Sequence, residues 1–92
     1  MIKVNEYFDG KVKSLATANS AGNATVGVIE PGQYEFGTGS VEIMTVIWGE
    51  LKAQLPGGEW KTYKQNESFR VEKGVSFKVE AIETMSYLCQ YL

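Results

Sequence analysis

The sequence predicts an all-β fold: a closed barrel or two-sheet jelly roll of about nine short antiparallel strands. Three observations lead there. Val, Ile, Thr, Tyr and Phe cluster in short runs, the composition of strands. Ten glycines and two prolines break the chain at short intervals, as tight turns require. No stretch keeps a helical period beyond a turn or two. Ninety-two residues suit one domain with one core, so residues 1–92 are read as a single unit.

The expected strands cover residues 11–16, 23–29, 32–38, 41–48, 50–55, 61–64, 68–71, 75–81 and 84–91, running through nearest neighbours. The first two flank a polar, small-residue stretch, residues 14–25, read as a hairpin loop in which Ser20-Ala21-Gly22-Asn23 supplies positive φ. Pro31-Gly32 fits the centre of a type II turn, and Pro56-Gly57-Gly58 closes another connection. Later, Phe69, Val71, Val75, Phe77, Val79 and Ala81 alternate with Ser68, Arg70, Ser76, Lys78 and Glu80. One face is core and the other meets solvent. Strand 41–48 differs, with Val41, Ile43 and Ile47 on one face and Met44, Val46 and Trp48 on the other. Apolar residues on both faces predict packing against a second subunit, a homodimer, and the C-terminal run 86–92 has the same character. Trp48 and Trp60 are taken as packing residues.

Charge and composition exclude several functions. Nine Lys and Arg against eleven Asp and Glu give a net charge of −2 without a like-charged block, so no basic face for nucleic acid is expected. No apolar run approaches the roughly 20 residues that cross a bilayer, and a cytoplasmic protein is the default. Histidine is absent. That removes Ser–His and Cys–His nucleophile pairs and all His-ligated metals. The one cysteine, Cys89, reads as a buried small hydrophobe, since no cation or His beside it would activate the thiol.

Within "VEIMTVIWGELKAQLPGGEWKTY", residues 41–63, Glu42 stands alone among apolar residues, seven positions before Gly49. The spacing matches the two signatures of the metal-binding cupin superfamily of jelly rolls. Phe36 and Thr38 occupy the paired His positions of the first signature, and Glu42 and Gly49 its Glu and Gly. In the second, Asn66 replaces a Gly, Glu72 a Pro and Phe77 a His, while Gly74 is kept. A lone carboxylate is a poor cage for a divalent ion. No metal and no organic cofactor are expected.

The stretches "NEYFDGKVKSL" (5–15), "VGVIEPGQYEFGT" (26–38), "EIMTVIWGELKAQLPGGEWKTY" (42–63), "ESFRVEKGVSFKV" (67–79) and "TMSYLCQYL" (84–92) closely resemble the pyrimidine/purine nucleoside phosphorylase family of small cupins. The resemblance covers nearly the whole chain in order. It departs in one segment, where Asn66 and Glu72 stand in place of the Gly and Pro of the common pattern Gly-x-Ser-Phe-x-Val-Pro. It implies phosphorolysis of purine and pyrimidine nucleosides to free base and ribose 1-phosphate, with inorganic phosphate as co-substrate. A sugar with oxocarbenium character then needs a phosphate cradle, a partner for positive charge and a donor for the departing base.

Glu42 is the first candidate, as acceptor for ribose hydroxyls and partner of the developing cation; the other role open to it is a structural carboxylate. Thr38 is the second, as a donor to phosphate or ribose, or else a strand-end β-former. Tyr34 and Phe36 are candidates for stacking a base of any kind, or core. Lys13 and the Gly37–Gly39 turn are ranked first for phosphate. Tyr87, Gln90 and Tyr91 bring polar atoms to the apolar tail, for substrate or for the subunit interface. Of a different class is a non-catalytic cupin that binds a nucleoside, nucleotide or sugar. A metal-dependent oxygenase or isomerase is disfavoured by the three missing His.

Overall fold

The computed structural model describes residues 1–92 as ten strands: β1 Val4–Tyr7, β2 Val12–Asn19, β3 Gly22–Ile29, β4 Gly32–Gly37, β5 Glu42–Trp48, β6 Leu51–Gln54, β7 Lys61–Tyr63, β8 Ser68–Val71, β9 Ser76–Ala81 and β10 Met85–Tyr91. All pairings are antiparallel. They form a six-stranded sheet in the order β1-β2-β3-β10-β5-β8 and a four-stranded sheet in the order β4-β9-β6-β7. The expected all-β jelly roll is therefore present. No helix is long and apolar enough to cross a membrane.

Nearest-neighbour pairing is corrected. Only β1 with β2, β2 with β3, and β6 with β7 pair with their neighbours in sequence. Instead β10 lies between β3 and β5, and β9 between β4 and β6. Each is thus hydrogen-bonded along both edges, which satisfies its backbone groups where apolar side chains bury it. The core joins the two sheets: Val12, Ile29, Met44, Val46, Phe69, Val71, Phe77, Val79, Ala81, Met85 and Cys89 are all buried in it. Alternation in β8 and β9 predicted that side correctly.

Several local expectations change. Strand β1 is added, closed onto β2 by Asp9-Gly10, a dipeptide favoured in hairpins. The stretch 14–25 is strand rather than loop: cross-strand register continues out to Asn19 opposite Gly22, leaving Ser20 and Ala21 as the turn. There Asn19 Oδ1 accepts the Ala21 amide at 2.8 Å. Gly32 opens β4 at φ 148°, far from the roughly +80° of a type II turn. Trp48 is 70% exposed and Trp60 39%, so neither is a packing residue within this chain. A register shift between Ser86 and Tyr87 sets Val46 opposite Tyr87 and Trp48 opposite Ser86. This bulge at Ile47 swings the indole out of the face that Met44 and Val46 bury. Strand β5 is accordingly buried on one face only, with Ile47 exposed on the other.

The two family departures have plain local explanations. Asn66 sits at φ 72°, a left-handed conformation that Asn tolerates better than most residues. The Glu72 carboxylate pairs with Arg70 Nε at 2.7 Å on the exposed face, and its backbone carbonyl accepts the Thr38 hydroxyl at 2.7 Å. Phe8 is less comfortable. An aromatic residue at φ 53° carries a steric cost of about 1–2 kcal/mol.

Candidate active site

Between the sheets lies a cavity of about 360 Å³, lined by Tyr7, Phe8, Ser14, Ile29, Glu35, Phe36, Gly37, Glu42, Met44, Phe77, Tyr87, Cys89 and Tyr91. Its walls differ in chemistry. The six-stranded sheet supplies Ser14 from β2, Glu42 from β5, and Tyr87, Cys89 and Tyr91 from β10, so nearly all the polar atoms stand on that wall. Opposite, the four-stranded sheet presents Phe36 and Phe77, whose ring centroids are 6.0 Å apart. The end of β1 adds Tyr7 and the β1–β2 turn adds Phe8.

Register explains the polar wall. In β10, residues 85, 87, 89 and 91 point inward, and Glu42 is paired with Tyr91 across β5. Cys89 Sγ donates to Glu42 Oε1 at 3.3 Å, and the hydroxyls of Tyr91 and Thr25 lie 3.0 Å apart. Tyr87 can lie flat against β3 because its cross-strand neighbour is Gly27, where a Cβ would come within 2.4 Å of the ring. Asn5 Nδ2 donates to Ser14 Oγ at 3.2 Å, fixing a further hydroxyl in the wall.

Burial sets the ionisation. It raises the Glu42 carboxyl from its usual 4.5, with the Cys89 hydrogen bond acting the other way. Burial likewise pushes Cys89 up to about 12, helped by the Glu42 charge. It pushes Tyr87 up to about 12 and also raises Tyr91. Near neutral pH the thiol and both phenols are uncharged donors. The wall thus offers one carboxylate amid neutral donors, an arrangement that accepts hydroxyl protons and favours positive charge nearby. Glu35 adds a second acid to the lining, and no lysine or arginine is among it.

Of the residues expected from sequence, Glu42, Phe36, Gly37 and Tyr87 come together at this cavity. Five do not. Lys13 is exposed beside buried Val12 and Ser14, so strand alternation points it to the outer face. Gln90 is outward by the same rule, between Cys89 and Tyr91. Tyr34 is buried, but its hydroxyl donates to Glu30 O at 2.8 Å and Pro31 O at 3.2 Å, holding the turn before β4. Thr38 is committed to the 72–75 turn: its hydroxyl donates to Glu72 O and accepts the Val75 amide at 3.1 Å, while its own amide binds Val75 O at 3.0 Å. Gly39 is exposed, and a Cβ there would touch nothing within 4 Å. Tyr91, named with Tyr87 for the tail, also lines the cavity, while sequence reasoning missed Tyr7, Phe8, Ser14, Glu35 and Cys89. Strict alternation along β10 from Tyr87 and Tyr91 would have found Cys89, and Asp9-Gly10 would have exposed the hairpin that carries Tyr7.

A cupin fold implies a metal, but the donor set does not fit one. Among the four signature positions, Phe36 and Phe77 have no ligand atom and the Thr38 hydroxyl is spent on backbone. Only Glu42 remains, and no group of three or more His, Cys, Asp or Glu side chains could hold an ion.

The family model for pyrimidine/purine nucleoside phosphorylase matches residues 2–91. This chain belongs to that family. A relative from Marinobacter nauticus named pyrimidine/purine nucleoside phosphorylase is 52% identical over 92 residues, covering 99% of each chain. The crystal structure of a protein of unknown function from Vibrio parahaemolyticus superposes with a TM-score of 0.96 at 44% identity, over 100% of this chain and 99% of that one. An RmlC-like cupin from Shewanella frigidimarina shares the fold, with a TM-score of 0.76 at 13% identity over 99% of this chain and 83% of its own. Family membership and cupin architecture, both expected from the quoted stretches, are thus established. By family the chain is a nucleoside phosphorylase.

Proposed function

We propose that this chain is a broad-specificity, metal-independent phosphorylase. It cleaves the N-glycosidic bond of purine and pyrimidine nucleosides with inorganic phosphate, giving free base and ribose 1-phosphate. The match to the phosphorylase family over residues 2–91 carries the reading. A phosphate oxygen bonds to the anomeric carbon as the carbon–nitrogen bond breaks. The base leaves with the electron pair and takes up a proton. Glu42 accepts the ribose hydroxyls and faces the positive charge that develops on the sugar. Because burial disfavours its carboxylate, a cation in the cavity gains more from it than it would in water. Tyr87 and Tyr91 are the neutral donors of the same wall, and Phe36 lies across from them for the base. None of these roles calls for a metal.

One observation favours a second reading. The cavity lining holds no lysine or arginine, which suits binding of a nucleoside, nucleotide or sugar without phosphorolysis. Incubation with uridine and with adenosine, with and without phosphate and with a chelator throughout, separates the two. Phosphate-dependent release of both bases is expected. Binding without release gives the second reading, and loss of activity with chelator overturns metal independence.

The proposal includes a homodimer in the cytoplasm. Leu15, Val26, Val28 and Ile47 leave an apolar outer face on the six-stranded sheet, consistent with cover by a second copy. Sedimentation should give twice the chain mass, and Val28→Glu should give the monomer.

A further inference from the structure

The β1–β2 hairpin ends in a turn closed by the Lys11 amide on Phe8 O at 3.2 Å. Its central residues are Asp9 at φ 56°, ψ 36° and Gly10 at φ 85°. Asp-Gly is well suited to that left-handed pair. Phe8 is not, yet it too is left-handed, at φ 53°. Strain of this kind persists only where surrounding contacts impose it, and it concentrates at sites that hold ligands. Here the surrounding contacts are rings. Phe8 lies 5.0 Å from Tyr34 and 5.5 Å from Phe36, the second at 90°; Tyr7 meets Phe36 at 6.2 Å and 88°.

These ring contacts leave Tyr7 and Phe8 partly open. Tyr7 remains 46% exposed and Phe8 43%, although both line the cavity and the neighbouring Phe77 is buried. An apolar residue nearly half in water, held in a costly backbone state at the mouth of a ligand-sized cavity, does little as core. Its ring lines the same cavity as Glu42 and is only partly covered, so it offers stacking area to a ligand there. With the ribose at Glu42, a flat base reaches the aromatic side. Stacking also accepts purines and pyrimidines alike.

We infer that Tyr7 and Phe8, held over the cavity by the left-handed turn, form the nucleobase platform of the site and are its determinants of broad base specificity. The inference rests on the phosphorylase reading and adds Tyr7 and Phe8 to Phe36 on its base-binding side. Phe8→Gly suits the backbone conformation and removes the ring; Phe8→Leu keeps apolar bulk without a π face; Phe8→Tyr keeps the face. Steady-state kinetics should show the nucleoside KM raised roughly tenfold in the Gly and Leu variants, for uridine and adenosine alike, as loss of one stacking contact predicts. The phosphate KM should stay unchanged, and Phe8→Tyr should remain near the parent. A Leu variant matching the parent would reduce Phe8 to packing and overturn the platform, as would equal rises in both KM values. If the parent releases no base, the phosphorylase reading fails by itself, and calorimetric titration with adenosine decides the platform. Weaker binding by the Leu than by the Tyr variant supports it; equal binding, or none by the parent, overturns it.

Discussion

Strands β4 and β10 both looked like site strands, and they end in different employment. Strand β10 is central, paired with β3 and β5, and its inward residues Tyr87, Cys89 and Tyr91 all reach the cavity. Strand β4 is an edge strand, paired only with β9. Phe36 and Gly37 reach the cavity from it, while Tyr34 and Thr38 on either side use their hydroxyls to hold adjoining turns. A central strand is held by ladders on both edges, so Cys89 and Tyr91 of β10 bond side chains of β5 and β3, whereas the hydroxyls beside edge strand β4 bond backbone of the adjoining turns.

The comparison can be broken most directly at Glu42, the partner of β10. Glu42→Gln should lower kcat/KM by about 10²–10³-fold, the scale of a lost transition-state electrostatic contact, while sedimentation shows an unchanged assembly. Unchanged turnover would make Glu42 structural, and the β10 wall would lose its chemical meaning. Next in size is Gly27→Ala, which drives a Cβ into the Tyr87 ring. It should cost about 1–3 kcal/mol of stability and reduce turnover, measured by thermal melts alongside kinetics.

Thr38→Val sharpens the other side. It leaves Glu72 O and the Val75 amide without the hydroxyl, so a loss of about 1–3 kcal/mol is expected, with kcat/KM of the folded protein within about threefold of the parent. Heavy loss of activity at unchanged stability would return Thr38 to the site. Tyr34→Phe should cost about 1 kcal/mol by the same argument. The smallest effect concerns pH. The folded-state pKa of Glu42 is raised, so its protonated form favours folding: that contribution is complete below about 4.5 and is lost as pH rises through the folded value. Glu42→Gln should therefore melt slightly higher than the parent near neutral pH, with the gap closing as pH falls through the raised folded value and gone below about 4.5.

Much of this was legible in the residues. Alternation in β8 and β9 needed only a period of two, so Phe69, Val71, Phe77 and Val79 were placed in the core without coordinates. Glu42 was marked by being the one acid in an apolar run. Lys13 and Gln90 were misplaced because chemistry was weighed before alternation. In a strand, a one-residue step changes the side of the sheet.

The sequence by itself determined the strand-and-turn character, the core alternation and the family, because these depend on residue type at short spacing. Tertiary structure decided which polar groups became available. Thr38 and Tyr34 are ordinary candidates until backbone carbonyls 34 and 4 residues away accept their protons, and Cys89, buried and unactivated as its neighbours in sequence suggest, becomes a hydrogen-bond donor only because β10 pairs with β5 and sets its thiol against Glu42. The Thr38 and Cys89 assignments depend on contacts between residues distant in the chain, of which local pattern carries no record, and the Tyr34 bond depends on the turn folding back on its ring.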